Sequence, residues 1–137
     1  MKIYLSGPIL GKDYREVCEL FESTKKAMDA GLAKFGHESV NPLEEIPESL
    51  AGDEKKSMKI RLKKMLECEA IQSIVDPPWL EPDSKLEWDL ARYLGYIARE
   101  TNVIYYNPDH KDTWTDEWGP AKPVMSYSTP YTGLEAL

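Results

Sequence analysis

Four short strand-like segments alternate with longer amphipathic stretches over residues 1–106, and this alternation constrains the fold more than any other feature. The segments lie at residues 3–5, 38–40, 70–75 and 103–106, and each is followed by a proline within three residues. Strands joined by helices form a parallel sheet with helices on both faces. We therefore predict an α/β fold, a Rossmann- or flavodoxin-like three-layer sandwich with a mainly parallel sheet.

Two helices are predicted from apolar residues that recur every three or four positions. The first begins at Asp13, a suitable N-cap, and ends at Phe35, just before Gly36. The second covers residues 54–67. Its predicted buried face consists of Met58, Leu62, Met65 and Leu66. The acidic segment 43–53 between them, which contains a proline and a glycine, is predicted to be a loop.

A third helix is predicted from Ser84 to Arg99. Ser84 would be its N-cap, and Glu87 would complete a capping box three residues later. Its predicted buried stripe consists of Leu86, Leu90, Leu94 and Ile97. The segment 76–83 before it contains three prolines and is predicted to be a stiff loop.

Composition excludes several functional classes. The 137 residues are enough for one compact domain, and a net charge of −7 argues against binding of a nucleic-acid polymer. No apolar run approaches the roughly 20 residues that a membrane span needs. Cys18 and Cys68 stand apart from both histidines, which argues against a disulfide framework and a metal site. We expect a cytoplasmic protein without metal or cofactor.

Residues 107–137 differ from the rest of the chain. They combine prolines with tryptophans and tyrosines and show no helical or strand period. A disordered tail is normally poor in aromatic residues. We therefore predict an α/β domain at residues 1–106 and an irregular extension at 107–137, which packs on its own domain or on a neighbouring subunit.

The loops after the first and third strands are the predicted binding region, since ligands of open parallel sheets bind at the carboxyl ends of the strands. These loops contain Ser6-Gly7-Pro8 and residues 76–83. Turn formation alone also explains Ser-Gly-Pro. Trp79 could stack on a base or cover the sheet edge.

Four segments, at residues 2–9, 36–42, 68–71 and 87–95, carry a resemblance to a known family. Together they resemble the nucleoside 2-deoxyribosyltransferase-like superfamily, most of all its small proteins that begin with Tyr-x-Ser-Gly-Pro-Ile. The superfamily also includes hydrolases of deoxynucleoside 5′-monophosphates. The resemblance implies cleavage of the N-glycosidic bond of a 2′-deoxynucleoside or its 5′-monophosphate. A glutamate attacks the sugar, and a second base or water completes the reaction.

The resemblance places Glu87 at the nucleophile position, with Tyr4 orienting it. The residues expected to bind substrate are Ser6, Gly7, Pro8, Ile9, Asn41, Arg61, Asp76, Trp79 and Ser84. Structural alternatives are a capping-box role for Glu87, a half-buried strand position for Tyr4 and N-capping for Ser84.

Arg61 departs from the family, which usually has an aspartate there. An arginine does not exchange protons at neutral pH, but it could pair with Glu87 or hold a phosphate in a bidentate manner. Asp83, the third predicted catalytic residue, or Asp76 could supply the missing acid; loop solvation is the alternative for both. The basic run at residues 55–64 is either a solvated helix face or an attractor of anionic substrate.

The leading hypothesis is therefore a deoxyribosyltransferase or N-hydrolase that acts on a nucleoside or nucleotide. Family members share sites between subunits, so a homodimer or higher homo-oligomer is expected. The alternative is a non-catalytic nucleotide- or nucleotide-sugar-binding protein that keeps the fold.

Overall fold

The computed structural model describes residues 1–75 and 77–100 and the backbone of residues 104–105. Its strands are β1 (Lys2–Ser6), β2 (Glu38–Val40), β3 (Ala70–Ser73), β4 (Ile97–Arg99) and β5 (Ile104–Tyr105). Its α-helices are α1 (Tyr14–Leu32), α2 (Glu48–Ala51), α3 (Glu54–Leu66) and α4 (Pro82–Tyr93). Short 3₁₀ helices lie at Ala33–Phe35 and Pro42–Glu45.

The strands of the described residues form one sheet in the order β2-β1-β3-β4-β5. The pairs β1–β2, β1–β3 and β3–β4 are parallel, and β5 is antiparallel to β4. The mainly parallel α/β sheet predicted from the sequence is confirmed. The chain passes from β1 to β2 on one side and returns to β3 on the other, so the strand order reverses between β1 and β3.

Alternating residues of β1 belong to separate cores on the two faces of the sheet, as the pleat requires. Ile3 and Leu5 pack in one apolar cluster with Phe21 of α1. Tyr4 packs in the other with Met65 of α3 and Trp88 of α4. Helices therefore cover both faces, as predicted.

The first helix follows the sequence closely. The Asp13 side chain accepts a hydrogen bond from the backbone N–H of Glu16, and Gly36 has a φ of +74°, which favours glycine. Asp29 joins α1 to β2 because its Oδ1 accepts from the backbone N–H (2.8 Å) and the hydroxyl (2.7 Å) of Ser39.

Two predictions for the middle of the chain need correction. Segment 43–53 is not a plain loop, since it contains part of the second 3₁₀ helix and α2. The predicted buried face of α3 is only partly right: Met65 is buried and Leu62 partly so, but Leu66 is 61% exposed, and the other buried residues are Ser57 and Arg61. Arg61 is buried because two carboxylates on α4 receive its guanidinium.

The predicted third helix is also wrong at both ends. Its N-cap is Glu81, and the hydroxyl of Ser84 donates to the Glu81 carbonyl oxygen at 3.3 Å inside the first turn. The capping box with Glu87 is therefore absent. The helix ends at Tyr93, and Gly95, with a φ of +81°, turns the chain into β4, which had been predicted as helix.

Candidate functional site

Glu87 lies in the second turn of α4 with its side chain completely buried against the end of β1. Its Oε1 accepts hydrogen bonds from the Ser6 hydroxyl at 3.0 Å and from Arg61 Nη2 at 2.6 Å. Its Oε2 accepts from the Tyr4 hydroxyl and from Arg61 Nε at 3.0 Å. Each carboxylate oxygen thus receives two hydrogen bonds.

Tyr4 and Ser6 reach the same carboxylate because residues two apart on a strand face the same side. Both lie on the α4 face of β1 and are almost fully buried. Ser6 is the last residue of β1, beside Ser73 at the end of β3. The carboxylate therefore lies at the carboxyl edge of the sheet, at the switch between β1 and β3 where open α/β sheets bind ligands.

Arg61 holds together two carboxylates of α4, those of Asp83 and Glu87. Beyond its two bonds to Glu87, its Nη1 donates to Asp83 Oδ2 at 2.8 Å and its Nη2 to the Gly7 carbonyl oxygen at 3.0 Å. The planar guanidinium suits this forked arrangement, which a lysine would not reproduce. Of the two roles suggested for Arg61, the structure contains the ion pair with Glu87; a phosphate contact would require that pair to open.

Asp83 fastens the loop after β1 to the first turn of α4. Its Oδ2 accepts from the backbone N–H groups of Ile9 at 2.9 Å and Leu10 at 3.2 Å, in addition to Arg61. The contribution of Leu10 was missed by the sequence analysis, because a backbone N–H is present at nearly every residue and gives no signal. Leu10 shares this role with Ile9, which the resemblance had placed at the site.

The two carboxyl groups respond differently to burial. Burial alone would raise the pKa of Asp83, but hydrogen bonds from the Ile9 N–H and Arg61 lower it below its ordinary value. Complete burial raises the pKa of Glu87 in spite of Arg61, Tyr4 and Ser6, which lower it. The guanidinium of Arg61 offers only hydrogen-bond donors to the two Glu87 oxygens. A protonated Glu87 would direct its own O–H donor at these donors, so we assign Glu87 the ionised form.

The hydroxyl of Tyr4 is a poor proton source. Burial, together with the charge of Glu87, raises its pKa well above the ordinary value of a tyrosine. Burial lowers the pKa of Arg61, but the charge of Glu87 and its hydrogen bonds raise this pKa by more, so Arg61 stays protonated.

Three other residues predicted to bind substrate, Gly7, Pro8 and Asn41, have different surroundings in the structure. Gly7 is buried, and a Cβ at this position would lie 2.5 Å from Cγ1 of Ile74, so the loop packs closely on the end of β3. Pro8 is half-buried beside it. Asn41 is buried and caps the second 3₁₀ helix through its side-chain bond to the Leu43 N–H.

Ser84 is directed back to Glu81 within the described contacts, and Trp79 is 48% exposed in the loop before α4. Asp76 lies outside the described residues. Neither Ser84 nor Trp79 has a side-chain hydrogen bond to Glu87 among the described residues.

A separate surface cleft of about 480 Å³ lies at the opposite, amino-terminal edge of the sheet. Its lining consists of Met1, Lys2, Gly36, Glu38, Glu67 and Glu69. No residue predicted to bind substrate lines it.

Within residues 1–75 and 77–100, no group of three His, Cys, Asp or Glu side chains is placed to hold a metal ion. No helix in the described part of the chain is long and apolar enough to cross a membrane.

No protein-family model matches the sequence, and no curated protein matches it either. Among solved structures, the chain is similar to a 2-deoxyribosyltransferase from the psychrotolerant bacterium Bacillus psychrosaccharolyticus. The identity is 13% over 96% of this chain and 91% of that one, with a TM-score of 0.48.

Proposed function

We propose that this protein cleaves the N-glycosidic bond of 2′-deoxynucleosides or their 5′-monophosphates, with Glu87 as the nucleophile. A carboxylate oxygen of Glu87 attacks the anomeric carbon, and the bond to the base breaks with its electron pair leaving on the base. The resulting glycosyl ester is then attacked by water or by a second base, which restores the carboxylate. A carboxylate suits this chemistry because it stabilises oxocarbenium-like charge and forms a reversible ester.

The observation that carries the proposal is the hydrogen bond from the Tyr4 hydroxyl to the fully buried carboxyl group of Glu87 at the β1–β3 switch. A buried carboxylate is stabilised by fixed hydrogen-bond donors, and here Tyr4, Ser6 and Arg61 supply them. These donors also fix the orientation of the carboxylate. Since Glu87 is 0% exposed, a substrate reaches it only after neighbouring groups move.

A second candidate function is favoured by the guanidinium of Arg61. Its two bonds use both oxygens of Glu87, as in an ion pair whose role is to hold the fold. In that case the protein would bind a nucleotide or nucleotide sugar at the same edge of the sheet without turnover. The homodimer or higher oligomer expected from the resemblance remains a prediction, for which light scattering is the direct measurement.

The test is release of free base from a panel of deoxynucleosides and deoxynucleoside 5′-monophosphates, with and without an acceptor base. Wild type is compared with Glu87→Gln and with Asp89→Asn, a matched change on the same helix. Asp89 pairs with Lys85 and has no side-chain hydrogen bond or ion pair to the site residues in the described part of the chain. We expect release in wild type and Asp89→Asn and its loss in Glu87→Gln.

Dependence on the acceptor base distinguishes the transferase from the hydrolase. Release that persists in Glu87→Gln contradicts the proposed nucleophile. No release from any substrate, together with nucleotide binding by folded protein, supports the second candidate instead.

A further inference from the structure

The buried cluster around Glu87 carries unbalanced charge. Its one guanidinium, on Arg61, lies 2.6 Å from Glu87 and 2.8 Å from Asp83, and all three side chains are at least 94% buried. With both carboxylates ionised, these three side chains together carry one net negative charge. In a medium of low polarity such a charge attracts a cation and repels an anion more strongly than it would in water.

The same contacts leave the cluster without a ready proton. Asp83 is held in its ionised form by Arg61 and two backbone N–H groups. The Tyr4 hydroxyl donates to Glu87, and the raised pKa of this group opposes transfer of its proton to a substrate. The guanidinium of Arg61 keeps its protons at all relevant pH values. A neutral base leaves a sugar as an anion unless an acid protonates it. Because Asp83, Tyr4 and Arg61 do not supply that acid, the site favours a substrate whose base leaves without taking up a proton.

We propose that the preferred substrate is an N-glycoside whose base already carries a positive charge, such as an N7-alkylated purine or an N-linked pyridinium. This inference rests on the function proposed above. The net negative charge of Arg61, Asp83 and Glu87 attracts the cationic base, and the base departs without an acid. It also follows that a 5′-phosphate weakens binding.

The reaction balances without a co-reactant other than water. The electron pair of the C1′–N bond moves to the cationic ring, which leaves as a neutral molecule, while a Glu87 oxygen bonds to C1′. Water then attacks C1′, its proton passes to solvent, and Glu87 is again a carboxylate. No proton is needed by the leaving base in the first step.

The kinetic test compares 2′-deoxyguanosine with N7-methyl-2′-deoxyguanosine, which differ by the methyl group and its charge. Base release is measured by chromatography, and the spontaneous rate without enzyme is subtracted. General acids contribute about 10²- to 10⁴-fold, so we expect kcat/KM for the methylated substrate to be higher by about 100-fold or more. Glu87→Gln should abolish enzymatic release of both.

The binding test isolates charge from the greater reactivity of the methylated substrate. Both nucleosides are titrated into Glu87→Gln, which binds without turnover, and into Glu87→Gln combined with Asp83→Asn. In Glu87→Gln the charges of Arg61 and Asp83 balance, whereas the double variant keeps only the positive charge of Arg61. The preference for the methylated nucleoside should therefore fall by about tenfold in the double variant, the order expected of a nearby unit charge at intermediate dielectric. An unchanged preference would overturn the role of Asp83.

Failure of this inference and failure of the proposed function give different results. Glu87-dependent release of guanine from one substrate and of 7-methylguanine from the other, at rates within tenfold, overturns the inference and supports the function. No Glu87-dependent release from either substrate or from the wider panel overturns both.

Discussion

At the scale of single residues, Arg61 contributes more to the fold than its place in a basic run of sequence indicates. Replacing it with methionine leaves Glu87 and Asp83 buried without a counter-charge. Removing one partner of a buried ion pair destabilises a protein by about 3–5 kcal/mol. We expect Arg61→Met to lower the free energy of unfolding by this amount in urea titrations.

The double variant Arg61→Met with Glu87→Gln provides the control for this prediction. It removes one of the two buried carboxylates that have lost their counter-charge, so the double variant should be more stable than Arg61→Met alone. A double variant that loses the sum of both single effects would show that Arg61 and Glu87 act independently.

Asp83 should give the protein a stability that depends on pH. Its pKa is lowered in the folded state, because the Ile9 N–H and Arg61 outweigh burial, so the ionised form is the one that folding favours. The stabilisation is then fully present above the ordinary value of 3.8 and is lost as the pH falls through the lower folded value.

Urea titrations of wild type and Asp83→Asn between pH 7 and pH 2 test this prediction. The difference in free energy of unfolding should be constant above about pH 5 and shrink below about pH 4. A difference that grows on acidification would contradict the assignment.

At the scale of elements, the loop after β1 is held to the end of β3 by close packing at Gly7. A Cβ there would lie 2.5 Å from Cγ1 and 2.7 Å from Cδ1 of Ile74. Gly7→Ala should therefore lower the free energy of unfolding by about 1–3 kcal/mol, the usual cost of overpacking. It should also reduce base release, since the loop carries the backbone groups that Asp83 holds.

A compensating change in the neighbour supplies the control for Gly7→Ala. Ile74→Ala removes both clashing atoms, so Gly7→Ala should cost less in that background than in wild type. An equal cost in both backgrounds would locate the strain elsewhere.

The helices show which parts of the structure were predictable from sequence. The first helix, its N-cap Asp13 and the glycine after it were predicted because periodicity and capping are local properties. The buried stripe of α4 was misplaced by one position: periodicity selected Leu86 and Leu94, which are 48% and 46% exposed. The buried face instead carries Asp83 and Glu87, since charges are buried where a partner on another element receives them.

The strand β4 was missed for a similar reason. Its three residues, Ile97–Arg99, follow a helix and continue its apolar period. They form a strand because Gly95 turns the chain and β3 offers a parallel partner. Neither the partners of Arg61 nor the pairing of β4 with β3 is encoded in a local sequence pattern.

By contrast, Tyr4, Ser6 and Glu87 were placed at one site by the resemblance and are in contact in the structure.

At the scale of the whole molecule, the sheet separates two cores, and the site belongs to one of them. The core on the α3–α4 face contains Tyr4, Trp88 and also Cys68, which is 5% exposed. Burial raises the pKa of the Cys68 thiol to about 12, so its reactive thiolate is scarce at neutral pH. Cys68 can therefore report on the opening of this layer.

We expect Cys68 to react with a thiol reagent at least about 100-fold more slowly in native buffer than in denaturant, since exposure of buried groups requires local or global opening. The half-buried Cys18 is first replaced in Cys18→Ser, which leaves Cys68 as the sole thiol. Mass spectrometry follows the labelling with time. If opening of the α3–α4 layer is local, Cys68 should react faster than the global unfolding equilibrium allows, and Arg61→Met should accelerate it further. A native rate equal to that of a free thiol would contradict the closed layer described here.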